Sequence, residues 1–432
     1  MKVTSIAAGP TRRHFTIAAL GTAGALILSG CGSSGTSSSP ASAPAQEGKN
    51  LAEGGSSTIT LWADNARVKV LKDVAAKFKA ETGIEVKLVG KDTVREDFIT
   101  QVPTGKGPDL IVGAHDWLGQ LVQNGVVAPV ELGDKAKLFE DSAMKAMTYK
   151  GSVYGVPFAI ENIGLVRNTA LVSGPAATFD EVVTNGKKAV ADGKAAYPFL
   201  VGLDPKQGDP YHLYPLQTSL GAPVFGTGAD GGYDASKLTL GNTGGIEFAK
   251  KLKAWGDTGE KVLNSNITAD IAKEKFLKGE SPYLLTGPWN IPDIQKAGIN
   301  IAIDPLPTAG SEPAQPFIGV NGFFISSKST NSLAATEFAV NYLTTENVQD
   351  ALFTAGGRPP ALKTSFQKAA KDPVVAAFGK IGANGVPMPA LPEMDAVWAD
   401  WGGTELALIK GQGDPETAWN TMVENIQKKI AK

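Results

Sequence analysis

The stretch TITLWADNARVKVLKDVAAKFKAETGIEVKLVGKDTVREDFITQVPTGKGPDLIVGA, residues 58–114, decides the fold. Thr58 to Trp62 reads as a strand, and Val70, Leu71, Val74, Ala75 and Phe78 then recur at helical spacing until Gly83 stops them. Ile84 to Val89 is the next strand. A second helix runs through Val94, Phe98 and Val102 to Pro103, and Asp109 to Gly113 supplies a third strand before a helix over Asp116 to Asn124. This alternation predicts a parallel sheet with right-handed crossovers, the core of an α/β fold.

Downstream the order is less regular but still α/β. Thr178-Phe179-Asp180-Glu181 has the form of a capping box, and Pro282 to Leu285 and Ile299 to Ile303 read as strands of a second lobe. Residues 203–242, rich in Gly, Pro, Asp and Tyr without periodicity, read as long ligand-facing loops. Helices are expected at 331–343, 346–354, 374–382, 394–410 and 415–430, the last with Asp414 as N-cap and Pro415 in the first position.

Composition narrows the chemistry. The 432 residues are 42% hydrophobic, enough for two or three domains with real cores. Lys plus Arg (41) nearly balances Asp plus Glu (43), so no basic field steers the chain onto nucleic acid. One Cys and three His leave little material for disulfides, thiolate zinc sites or Cys/His nucleophiles. His115 and His212 belong to no metal-spacing motif and read as polar loop residues. Gly226 to Gly231 formally fits a dinucleotide fingerprint, but a strand-like segment follows where a helix is needed, so the phosphate cradle is missing. No metal, cofactor or catalytic set is expected.

Residues 1–30 form an address. Lys2, Arg12 and Arg13 precede an apolar run from Phe15 to Leu28, shorter than the roughly 20 residues a bilayer span needs. Leu28-Ser29-Gly30-Cys31 resembles the bacterial lipobox, which implies cleavage before Cys31 and diacylation of its thiol. Thr11-Arg12-Arg13-His14-Phe15 also resembles a twin-arginine export motif. Residues 31–57, dominated by Ser, Gly, Pro and Ala, read as a flexible linker after the lipidated cysteine. Two acyl chains hold a protein to a membrane durably without a spanning helix, so the expected location is extracytoplasmic and membrane-anchored.

The acids and aromatics of the expected loops carry the functional reading: Asp64, Asp116, Glu161 and Asp209 beside Trp62, Trp117, Tyr211, Trp289, Trp398 and Trp401. Sugar hydroxyls are satisfied by carboxylates and amides that accept paired hydrogen bonds, and the C–H face of a sugar ring desolvates against an aromatic ring. Core packing is the competing reading for any single Trp, so the weight rests on the set.

Gly107-Pro108-Asp109-Leu110-Ile111-Val112-Gly113-Ala114-His115-Asp116 is similar to the strand-and-loop motif of the maltose/maltodextrin-binding proteins, extracytoplasmic receptors of ABC sugar importers. The resemblance continues in order through Tyr154 to Glu161, Asp209-Pro210-Tyr211, Thr286-Gly287-Pro288-Trp289, Pro316 to Val320 and Met394 to Trp398, covering residues 58–432. It implies a two-lobed, periplasmic-binding-protein-like (type II) fold with a hinge and an interlobe ligand cleft. The lobes would comprise 58–160 with 320–370, and 161–319 with 371–432. Hinge crossings are implied near Ala159 to Gly164 and Phe317 to Val320.

Carried over residue by residue, Asp116 and Glu161 would accept sugar hydroxyls from the first lobe, and Tyr211, Trp289 and Trp398 would stack from the second. Asp64 and Asn65 would add polar contacts from the loop after the first strand. The family's best-known members have Trp at the position of Gly113 and Arg at that of Trp117, so Trp117 is expected to be a relocated stacking ring; Ala399 and Gly402 also depart from the pattern. The expected ligand is maltose or a maltooligosaccharide, with cyclodextrins, arabinogalactan oligomers and trehalose-like disaccharides open. The expected partners are that ligand and ABC permease subunits, for a monomer that is not an enzyme. The competing readings use Asp116 and Glu161 as a glycosidase pair or the same cleft as a polysaccharide adhesin.

Overall fold

The computed structural model describes residues 58–228 and 232–431. Cys31, the signal-like segment and the linker lie outside these residues.

Lobe 1 is built as its sequence pattern dictates. Strand β1 (Thr58–Ala63) leads into α1 (Asn65–Thr82), which ends at Gly83 in the left-handed conformation (φ 76°) that glycine adopts without a Cβ penalty. Then follow β2 (Glu85–Gly90), α2 (Val94–Gln101), β3 (Leu110–Ala114) and α3 (Leu118–Gln123). β1 pairs in parallel with β2 (Thr58 opposite Glu85) and with β3 (Leu61 opposite Leu110), as the alternation predicts. The sheet is nevertheless mixed, because two later strands join it antiparallel.

The first of these is β4 (Gly155–Glu161). Lobe 2 follows with β5 (Gly164–Asn168), α4 (Phe179–Ala191), α5 (Pro210–Thr218), β6 (Tyr283–Thr286) and β7 (Ile301–Asp304). β5 is the centre of an antiparallel three-stranded sheet, with Val166 opposite both Leu284 and Ile303. The chain then returns along β8 (Phe317–Ile325), which pairs antiparallel with β3 on one side and β4 on the other. After α6 (Glu346–Gly356) it ends with α7 (Met394–Ile409) and α8 (Pro415–Ile430), packed on lobe 2.

Two separate main cores result. Phe78, Phe98, Ile111, Phe139 and Phe323 belong to the first, and Phe179, Tyr214, Phe248, Trp401 and Trp419 to the second. The boundary crosses the chain between Ala159 and Ile163, and again inside β8, where Phe317 stacks on Tyr214 in the second core (centroids 3.7 Å apart) and Val320 already packs in the first. The molecule has the two-lobed periplasmic-binding-protein fold.

Two local readings need correction. Residues 203–242 contain the buried helix α5 and a hairpin of Phe225–Thr227 with Tyr233–Leu238, not only loops. Pro215 inside α5 and Pro210 at its start hide the helix from a periodicity argument, while Asp209 caps it by accepting from His212 N at 3.0 Å. The helix expected at 331–343 is α-helical only over Ser332–Thr336 and continues as a π turn through Glu337–Tyr342. Among the described residues no helix is long and apolar enough to cross a membrane.

Candidate functional site

The carboxyl end of β3 carries three consecutive side chains with three different duties. His115, read from sequence as a polar loop residue, is buried instead. Its Nδ1 accepts from Val320 N (3.1 Å), so Nε2 carries the proton and donates to the Met388 carbonyl (3.1 Å). Burial lowers its pKa to about 4, so it is a neutral staple joining β3, the crossing strand β8 and lobe 2. Asp116, next along, is buried with Oδ1 unpartnered within the protein. Burial raises its pKa to about 6 against the pull of Arg95, and the Trp398 indole N–H from α7 is directed at the same carboxyl.

Trp117 turns back over the strand. A Cβ on Gly113 would lie 2.2 Å from Cε3 and Cζ3 of Trp117, so the indole fills the space a side chain at 113 would take. The ring packs against the first core, with the Arg95 guanidinium 6.0 Å from its centroid.

At the end of β4, Glu161 is nearly fully buried and its Oε2 accepts from Arg358 Nε at 2.6 Å. Arg358 follows Gly357, which ends α6 in the left-handed conformation (φ 70°). A Cβ at 357 would lie 2.7 Å from the Pro288 carbonyl oxygen, so this glycine lets the two lobes approach there. The Arg358 guanidinium sits 5.2 Å from the centroid of Trp289, a cation–π contact between lobes. Burial lowers the Arg358 pKa, and Glu161 opposes that shift.

Tyr211, one residue into α5, stacks on Phe317 at 6.2 Å, and its buried hydroxyl has no partner within the protein. Burial and the nearby Glu161 carboxylate push its pKa well up. Trp398 stacks on Trp401 (5.6 Å, 17°) and meets Phe317 edge-on.

Asp64 is the N-cap of α1: its Oδ1 accepts from Arg67 N at 2.8 Å and its Oδ2 pairs with the Arg67 guanidinium. Burial raises the Asp64 pKa, but Arg67 outweighs it, so the carboxyl stays below its ordinary range. A second guanidinium nitrogen of Arg67 donates to the side-chain Oδ1 of Asn321 on β8. Arg67 Nε and Asn321 Nδ2 are both buried without a partner.

The structure thus brings Asp116, Glu161, Tyr211, Trp289 and Trp398 together where the lobes face each other. Asn65 stands apart, exposed, with its side-chain oxygen against Gly90. Trp62 and Trp401 are core: Trp62 packs in the first cluster under Lys91, and Trp401 donates to Gln217 Oε1 at 3.0 Å. Asp209 is occupied as the α5 cap and by His212 Nδ1 at 2.7 Å. Sequence reasoning missed Arg67, Arg358 and Asn321. The one legible signal was Gly356-Gly357-Arg358-Pro359-Pro360, a lone cation fixed between residues that set the backbone.

Residues 73–377 match the family model described as bacterial extracellular solute-binding protein. The chain is 26% identical to the galactooligosaccharide-binding protein of Bacillus subtilis strain 168, covering 94% of each chain. It is 28% identical to the maltodextrin-binding protein MdxE of the same strain, over 88% of this chain and 92% of that one. The solved Thermus thermophilus maltotriose binding protein bound with maltotriose is similar with a TM-score of 0.79 and 30% identity, covering 86% of this chain and 100% of that one. A matching interlobe architecture, a family match over most of the chain and end-to-end relatives lead to one conclusion: the chain belongs to the bacterial extracellular solute-binding proteins.

Proposed function

We propose that this protein is the receptor of an ABC importer, tethered outside the cytoplasm by diacylated Cys31, and that it captures a maltooligosaccharide between its lobes for delivery to the permease. The observation that carries the reading is the pair of unpartnered buried polar atoms where the lobes face each other, Asp116 Oδ1 from lobe 1 and Tyr211 Oη from lobe 2. Buried polar atoms left unpaired cost on the order of 1–3 kcal/mol each, so a ligand supplying hydroxyls there gains that free energy back. Trp289 and Trp398 beside them provide the flat apolar surface that a sugar ring needs. Relatives named for maltodextrin, maltotriose and galactooligosaccharide binding support the ligand class.

The protein acts by binding, without covalent chemistry. Glu161, the second carboxylate a glycosidase would require, is engaged by Arg358. Titration calorimetry with maltooligosaccharides, galactooligosaccharides and trehalose is expected to give a dissociation constant of order micromolar, about 8 kcal/mol, for a maltooligosaccharide. Absence of heat with every glycan would reject the reading, and release of shorter sugars by the purified protein would replace it with hydrolysis.

A further inference from the structure

One carboxylate on lobe 2 is grasped by two side chains of lobe 1. Asp395, in the first turn of α7, takes Arg95 on Oδ1 at 3.0 Å and Gln120 Nε2 on Oδ2 at 2.8 Å. Arg95 is itself fixed, by Glu96 at 2.9 Å and by its position over Trp117. One turn further along α7 stands Trp398, whose indole faces Asp116, so this clasp lies directly beside the candidate sugar cleft. The backbones touch here too: a Cβ on Gly119 would come within 2.7 Å of the Ala390 carbonyl oxygen. At the cleft's other side, the Arg358–Trp289 contact and the Gly357–Pro288 approach bring the lobes together in the same way.

Behind the clasp is an open groove of about 590 Å³, within the size range of small-molecule sites. Gln120, Gln123 and Asn124 line one wall, and Glu393, Asp395 and Lys429 the other. Amides and carboxylates are the groups that pair with sugar hydroxyls, and the exposed amides of Gln123 and Asn124 line the groove. Nothing in the interlobe contacts described above requires this groove, and Asp395 stands at its edge.

We propose that Asp395, clasped by Arg95 and Gln120, is a length gate: it confines the cleft to short oligosaccharides and walls off an outer groove suited to further sugar units. This rests on the oligosaccharide reading above. A longer chain must break both bonds to Asp395 and leave a charge without its partner, a loss that its hydroxyls only partly offset.

The test is calorimetric titration of wild type, Asp395→Ala and Arg95→Met with defined α-1,4-glucose and β-galactose ladders from disaccharide to heptasaccharide. Wild type is expected to lose at least about tenfold in affinity between trisaccharide and hexasaccharide, the equivalent of one charge-assisted bond. Each variant is expected to reduce that ratio to about threefold or less, whatever happens to its overall affinity. Reading a ratio within one protein cancels any general weakening of lobe closure, and the second variant decides if the first does not fold. A wild-type profile flat with length, or folded variants that keep the wild-type ratio, would overturn the gate alone. Failure of wild type to bind any member of either ladder would overturn the oligosaccharide reading and the gate with it.

Discussion

Trp289 and Trp398 have neighbours already in place, the Arg358 guanidinium and His212 ring for the first and the Trp401 and Phe317 rings for the second, which fixes their planes before any ligand arrives. Trp289→Ala and Trp398→Ala are each expected to weaken sugar binding by about 1–3 kcal/mol, with cooperative unfolding retained, as calorimetry and thermal melts of the same samples will show. Asp116 makes a separate prediction in stability. Its folded pKa of about 6 lies above the ordinary 3.8, so the folded state binds the proton more tightly. The stability this contributes is present in full below about pH 4 and is lost as pH rises through about 6. Asp116→Asn should therefore stabilise the ligand-free protein at pH 7 by on the order of 2 kcal/mol and change little at pH 4, measured by denaturant melts at the two values. At this scale the acids were legible, because a carboxylate in an apolar stretch stands out; their partners were not. Arg358 lies 197 residues from Glu161, and no local pattern couples them. Asp64 carries a duty that was legible as well: an Asp immediately before a helical repeat is an N-cap signal, and it caps α1.

Helix α5 is the element on which lobe 2's share of the site depends, because it delivers Tyr211 from its first turn. Asp209 holds that turn through the His212 backbone and imidazole. Asp209→Ala is expected to cost about 1 kcal/mol in global stability, the usual worth of a lost cap. It should weaken sugar binding as well by freeing Tyr211; chemical denaturation and titration of the same variant separate the two effects. The α/β alternation of residues 58–124 was legible because each strand and helix there carries an unbroken apolar period. Helix α5 was not, since two prolines and a glycine-rich setting conceal nine helical residues whose stability comes from burial against Phe317 and Trp401 rather than from propensity. The antiparallel arrival of β8 and β4 was equally hidden, because strand direction is set by partners more than 150 residues away.

For the molecule as a whole, the proposed lipid tether gives the plainest expectation: Cys31→Ser should move the protein from the membrane fraction to the medium or soluble extract. Fractionation with mass spectrometry of the N-terminus checks it, and an unchanged membrane pool would remove the acyl anchor from the description. The two-lobed architecture was legible through resemblance to a family, whereas the contacts between lobes had to await coordinates, since they join Arg95 and Gln120 to Asp395 across some 300 and 275 positions of chain. Strand β8 carries a last implication, for biogenesis. Lobe 1 starts at Thr58, yet the strand that sits between β3 and β4 is Phe317–Ile325, encoded after the first segment of lobe 2. A nascent polypeptide halted short of Phe317 therefore exposes two bare hydrogen-bonding edges flanking a gap, an invitation to intermolecular pairing. The sheet of the earlier lobe therefore closes only after more than half of the chain has been made, and until then its open edges are the places where copies of the chain would stick to one another.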